Sequence, residues 1–224
     1  MIMHRARMRR AAGVALLIGL AMPVAGLADP ITKNLGGGWR ATIFDPTLVD
    51  IVVDFVSIKS DILVIEKFAQ FVGVDPITGL PKPAQILFEQ IEPDKSTVSQ
   101  IVLTDQIIVN HTGIDWTSYR EELIPTESGI QTFNQALSAT FSIAPFTTRT
   151  YNGISSIVDF ADGVVPNGST WAPGVESGGL YIDIDLASAE KPVAFTLKEL
   201  PIPEPGAALM VLLAAGVGAV VRRR

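Results

Sequence analysis

The sequence contains no cysteine. That absence excludes disulfides, thiolate nucleophiles and cysteine-ligated metals together. Histidine is almost as scarce: His4 sits in a basic N-terminal stretch, which leaves His111 as the one imidazole of the remaining chain. A Ser-His-Asp device needs a base, and only His111 could supply it. A multi-histidine zinc site is excluded. Its context, Asn110-His111-Thr112-Gly113, reads as a turn after a strand, where a solvated histidine is the expected state. Aromatic residues make up 7% of the chain, so any stacking platform must be built from few rings. Positive charge is also sparse between the two ends. Of 17 Lys and Arg, four (Arg5, Arg7, Arg9, Arg10) lie near the start and three (Arg222 to Arg224) at the end, leaving 10. Of 23 Asp and Glu only Glu204 lies beyond Pro203, leaving 22, so the central body carries about −12. Such a body repels phosphate backbones, which excludes nucleic acid as a partner.

What the body lacks in basic residues, the ends have. After the arginines of the N-terminus comes an apolar core, Ala11 to Ala21, and then Gly26-Leu27-Ala28. A basic start, a short apolar stretch and small residues form a secretory leader. Signal peptidase would cut between Ala28 and Asp29. At the other end, Pro203-Glu204-Pro205 precedes an uncharged run from Gly206 to Val221, closed by Arg222-Arg223-Arg224. The prolines hold the backbone extended and out of helix. The run rises about 24 Å as a helix, short of the roughly 30 Å hydrocarbon core. Its terminal arginines form the membrane stop, held on the cytoplasmic side, so the remainder faces outward. Three readings follow: a permanent single-pass anchor, a tail removed after export by the logic of a GPI signal, and a chance apolar terminus.

This three-part terminus resembles the PEP-CTERM sorting signal of Gram-negative bacteria, and the resemblance is confined to residues 203–224. It implies an exosortase, a membrane protease-transpeptidase, as processing partner, with cleavage at or beside Pro203, Glu204 or Pro205. It also implies a setting of extracellular polysaccharide and biofilm. The chain divides accordingly into a signal peptide (1–28), a body (29–200) and a sorting tail (201–224). The chain is expected to cross the inner membrane, be held there transiently by its tail, and reach the cell surface or extracellular space.

Within the body the hydrophobic period is mostly two. Leu180, Ile182, Ile184 and Leu186 alternate with Tyr181, Asp183 and Asp185, a half-buried strand. Val193, Phe195 and Leu197 alternate with Ala194, Thr196 and Lys198. Val49, Ile51, Val53 and Phe55 are expected to face one way, Asp50 and Asp54 the other. Further strand-like runs lie at Ile62 to Ile65, Gln85 to Ile91, Val98 to Val109, Thr140 to Ile143 and Ser156 to Phe160. The turns between them are Asp45-Pro46, Asp75-Pro76 with Thr78-Gly79, Glu92-Pro93-Asp94, Asp162-Gly163 and Pro166-Asn167-Gly168. This spacing predicts an all-β body, one antiparallel β-sandwich or jelly roll. Ile62 to Phe71 also shows helical spacing but is rich in Ile and Val, and reads as strand. Ile130 to Leu137 places Ile130, Phe133 and Leu137 on one face and reads as a short helix. Gly36-Gly37-Gly38 is either a flexible lead-in or a close backbone approach before Trp39.

Candidate sites are few. Asp183 and Asp185 share a strand face, and Asp159 and Asp162 lie in a turn-prone segment. Clustered carboxylates are what calcium needs, although no EF-hand spacing is present and outward carboxylates equally keep a strand soluble. Glu89, Glu92, Glu121, Glu122, Glu127 and Glu176 offer many glycosidase-like pairs, and so single out none. Trp116, Tyr119 and Trp171 could hold a sugar if exposed, or pack down over the end of the sandwich. Asn110-His111-Thr112 and Asn167-Gly168-Ser169 match the glycosylation acceptor pattern and read as turns. Three readings of the whole follow: a non-catalytic surface or matrix protein, a carbohydrate-binding module with structural calcium, and a secreted hydrolase. With one histidine in the body and no cysteine, the residues favour the first, without catalytic residues or a cofactor. They are separated by whether the three rings line an exposed face.

Overall fold

A computed structural model describes residues 28–125, 131–152, 154–187 and 192–204. In chain order the strands are β1 (Ile31–Gly36), β2 (Trp39–Ile43), β3 (Val49–Ser57), β4 (Ile62–Val72), β5 (Ala84–Gln90), β6 (Gln100–His111) and β7 (Trp116–Pro125), followed by β8 (Gln131–Phe133), β9 (Thr148–Asn152), β10 (Ile157–Ala161), β11 (Thr170–Trp171), β12 (Leu180–Ile184) and β13 (Ala194–Pro203). They form two sheets. The first runs β1-β2-β5-β13-β7-β10-β9, and the second runs β3-β4-β6-β12-β8 with β11 added to β6. The fold is all-β and sandwich-like, because the inner residues of both sheets share one core. Trp39, Ile43, Phe88, Phe195 and Leu197 from the first sheet meet Leu63, Ile65, Phe71, Ile101 and Ile182 from the second.

Every pairing in the first sheet is antiparallel. The second sheet is mixed, because β4 and β6 run parallel. The expected all-antiparallel arrangement fails at that point. Between these neighbours the chain crosses to the first sheet as β5 and returns, and a parallel pair needs such a crossover.

Bulges decide which side chains turn inward. On β3 the partner of Val53 is Ile65 and that of Phe55 is Val64, so Asp54 is an extra residue. The alternation breaks there: Val49 and Ile51 are buried, whereas Phe55, past the extra residue, is exposed and Val56 packs against the core in its place. On β7 Ser118 pairs with Ile202 and Trp116 with Pro203, which makes Thr117 the extra residue. Trp116 and Tyr119, three apart in sequence, therefore both point into the core. A third bulge lies in β6, where Thr104 pairs with Glu66 and Ile107 with Phe68, so Asp105 and Gln106 together oppose Lys67. Asp105 has φ +41°, in the left-handed region.

Other expectations change locally. Residues 131–133 form strand β8 rather than part of a helix, and Leu137–Thr140 is a single 3-10 turn; Ile130 lies outside the described residues. Phe133 is drawn into the core by pairing opposite Ile182. Thr140 to Ile143 is not a strand, because the 3-10 turn runs directly into irregular backbone. Gly36 to Gly38 are a close approach: all three have positive φ, and a Cβ on Gly38 would meet Thr97 Oγ1 at 2.3 Å. Beside them Trp39 Nε1 donates to the Val98 carbonyl at 2.8 Å.

The last strand runs past Leu200 to Pro203. Its pairing with β5 ends at Glu199 opposite Ala84, while its pairing with β7 continues to Pro203. Pro201 and Pro203 therefore fall where one side of the strand has no partner, and their missing N–H groups cost less there.

Candidate functional site

Three core strands each turn a charge inward. Lys67 shares the buried register of β4 with Leu63, Ile65, Ala69 and Phe71. Glu121 shares that of β7 with Tyr119 and Leu123, and Glu199 that of β13 with Phe195 and Leu197. Glu199 pairs directly opposite Glu121, so the two carboxylates stand side by side on the first sheet. Lys67 meets them from the second. All three side chains are 0% exposed. Lys67 Nζ donates to Glu121 Oε1 at 3.2 Å and to Glu199 Oε1 in closer contact. Tyr119 O–H donates to Glu199 Oε2 at 2.9 Å. The Tyr119 ring lies between Trp171, at 4.9 Å, and Phe71, at 6.0 Å, so aromatic faces wall the cluster.

One ammonium against two carboxylates leaves a net negative charge in a dry site unless a proton is shared. Burial pushes the Glu121 carboxyl up, Lys67 draws it back and the charge on Glu199 raises it again, to about 7. Its Oε2 is buried with no partner among the described residues. For Lys67, burial alone favours the neutral amine, but the two carboxylates outweigh it and hold the ammonium above its ordinary value. The Tyr119 phenol is pushed well up, first by burial and then by the same two carboxylates. Gln106, in the bulge opposite Lys67, is also fully buried, with neither side-chain polar atom partnered among the described residues. The cluster therefore combines a closely held amine, two carboxyls and a hydroxyl in a space no external substrate reaches.

This cluster was readable in principle, because each charge interrupts an apolar inward register. Sequence reasoning placed Glu121 only among interchangeable acids and passed over Lys67 and Glu199. Of the residues it did single out, Tyr119 belongs to the cluster and Trp171 walls it, while the aspartates and His111 lie elsewhere. Trp116, Tyr119 and Trp171 do come together, but inside: their exposures are 0%, 0% and 1%. Trp116 Nε1 donates to Thr112 Oγ1 and Trp171 Nε1 to the Ile143 carbonyl, which satisfies the indoles within the core. None of these rings has a face to offer a sugar. The four aspartates do not converge. Asp159, on β10, takes Arg120 in a two-pronged pair at 2.7 and 3.1 Å and also accepts from Asn152 Nδ2. Asp162 caps the turn beside Thr148. Asp183, on the other sheet, accepts from Gln100 and Asn134, and Asp185 from the Ala187 N–H. Each is occupied by N–H or O–H donors, and among the described residues no three His, Asp or Glu are grouped to hold a metal.

His111 is exposed at the end of β6. Asn110 is buried and donates to the Ile114 and Val165 carbonyls at 2.9 Å, while Asn167 Oδ1 accepts from the Gly113 N–H. Glu89 and Glu122 pair with Arg40 and Lys198 on the outer face of the first sheet. At the chain ends, Asp29 is exposed just before β1, and Ala28 precedes it. Pro203 is the buried last residue of β13 rather than part of an open linker, and Glu204 follows it, exposed. Glu204 lines a cleft of about 380 Å³ with Gly113, Ile114, Asp115, Thr117 and Val164. Pro205, the apolar run from Gly206, Arg222 to Arg224 and the leader up to residue 27 lie outside the described residues. The chain matches no protein-family model, no curated protein and no solved structure.

Proposed function

We propose that this is an exported surface or extracellular-matrix protein without catalytic activity, its sandwich body held first by a leader and then by a PEP-CTERM-type sorting tail. The observation that carries this is the order at the C-terminus: Pro203-Glu204-Pro205, sixteen uncharged residues, then three arginines. The run crosses the inner membrane as a helix, and the arginines stay in the cytoplasm, since carrying three of them through hydrocarbon costs roughly 3 kcal/mol each. An exosortase-like peptidase then cuts at the motif and releases or transfers the body, toward a polysaccharide-rich matrix.

The position of Pro203 in the sheet supports a compact junction. The first freely exposed residue of the motif is Glu204, so the enzyme approaches the chain where the body ends, without a linker between. Intact-mass analysis of the protein from its native host tests the proposal. Loss of the tail near Glu204, abolished by Glu204→Ala with Pro205→Ala, is expected. A surface form that still ends at Arg224 would leave a plain membrane anchor in its place.

A further inference from the structure

We infer that Lys67 and Glu199 are joined by an intramolecular amide, a covalent bridge between the two sheets that the protein forms in itself on folding. The reacting groups are already paired: Lys67 Nζ is in direct contact with Glu199 Oε1, and both side chains are fully buried. In water an ammonium and a carboxylate do not condense, because both are well solvated and water is abundant. Inside this core neither advantage remains. The two charges have lost their hydration, and a neutral amide requires no counter-charge. Two strands fix the reactants in contact, which replaces a bimolecular encounter with an intramolecular one of very high effective concentration.

The neighbours supply what the step requires. Glu121 Oε1 accepts from Lys67 Nζ at 3.2 Å, so it takes one ammonium proton and frees the nitrogen lone pair. The nitrogen attacks Cδ of Glu199. Tyr119 O–H, on Oε2, stabilises the charge that develops on the oxygen retained as the amide carbonyl. The Cδ–Oε1 bond breaks, and Oε1 leaves as water with two protons, both originally on Nζ and relayed through Glu121. One C–N bond forms, one C–O bond is lost, no oxidant or reductant is needed, and Glu121 ends as it began. A Glu121 carboxyl that titrates near neutrality is suited to this exchange. The bridge would tie β4 to β13, residues 132 apart in sequence.

The test is peptide mapping of the full-length chain, purified folded in detergent and then fully denatured. Trypsin does not cut at an acylated lysine, so the bridge leaves the peptide from Ser60 to Lys95 attached to the peptide that begins at Glu199, lighter than their sum by one water. That branched species is expected from the wild-type chain and absent from Lys67→Arg. In Glu121→Gln its yield should fall at least tenfold at matched refolding time, with the fold verified by circular dichroism. A folded wild-type chain that yields only linear peptides at Lys67 and Glu199 overturns the bridge. A branch from Lys67 to Glu121 overturns the assignment of Glu199. An unchanged yield in folded Glu121→Gln overturns the proton relay.

Discussion

Neighbouring residues on β7 and β13 place similar chemistry on opposite faces of one sheet. Glu122 and Lys198 face outward and pair at 3.3 Å with each side chain about 30% exposed. Glu121 and Glu199, one residue away on each strand, face inward and share Lys67 with no exposure at all. The outer pair belongs to a row with Arg40–Glu89 and Arg120–Asp159. Water and salt can replace any member of that row, so the contacts chiefly keep the face soluble. Nothing replaces a member of the inner cluster. The pleat alone separates a tolerant set of charges from an intolerant one.

The sharpest way to break this comparison is Lys67→Ala. It leaves two carboxylates facing each other in the core, and we expect at least about 3 kcal/mol lost in urea unfolding. A cost below about 1 kcal/mol, as for an exposed pair, would show that the two faces do not differ as described.

A smaller effect comes from pH. Burial raises the folded Glu121 carboxyl from 4.5 to about 7, so the folded state binds more protons across that window. Its contribution is full below pH 4.5 and is lost as pH rises toward 7, by on the order of 3 kcal/mol at most. In a Lys67→Arg background, which keeps a cation and cannot form the amide, subtracting the stability profile of added Glu121→Gln from that of Lys67→Arg alone should reveal this falling limb. A difference profile that rises with pH would contradict it.

The smallest effect is expected outside. Lys198→Ala should change stability by less than about 1 kcal/mol. That change should vanish in about 1 M salt, where screening extends only about 3 Å. A loss as large as that of Lys67→Ala would place the outer row on the same footing as the inner cluster.

Much of the fold was legible because β12 and β13 obey a strict alternation, with Leu180, Ile182, Phe195 and Leu197 all inward. Where the alternation slips, the sequence misleads. The extra residue Asp54 turns Phe55 outward and Val56 toward the core, and nothing in their side chains announces it. β7 was missed altogether, since Trp116, Tyr119 and Glu121 share a face only because Thr117 bulges out. The parallel neighbours β4 and β6 belong to long-range order, which local pattern does not encode. The inner cluster was hidden for another reason: one inward charge reads as an error in a pattern, and three become a site only when the strands are adjacent.

The one-sided stretch of β13 determines how the domain would yield to a pull. Tension applied at Glu204 first meets Leu200 to Pro203, which are laddered to β7 alone and include two prolines with no N–H to share. Those four residues peel first. At Glu199 the strand becomes bonded on both sides, and there its side chain grips Lys67 across the core. Peeling stops at that point, after releasing a tether of about 14 Å of nearly extended chain. The last strand thus combines a short yielding leash with a fixed stop, and the strands of the sandwich stay paired until the stop fails.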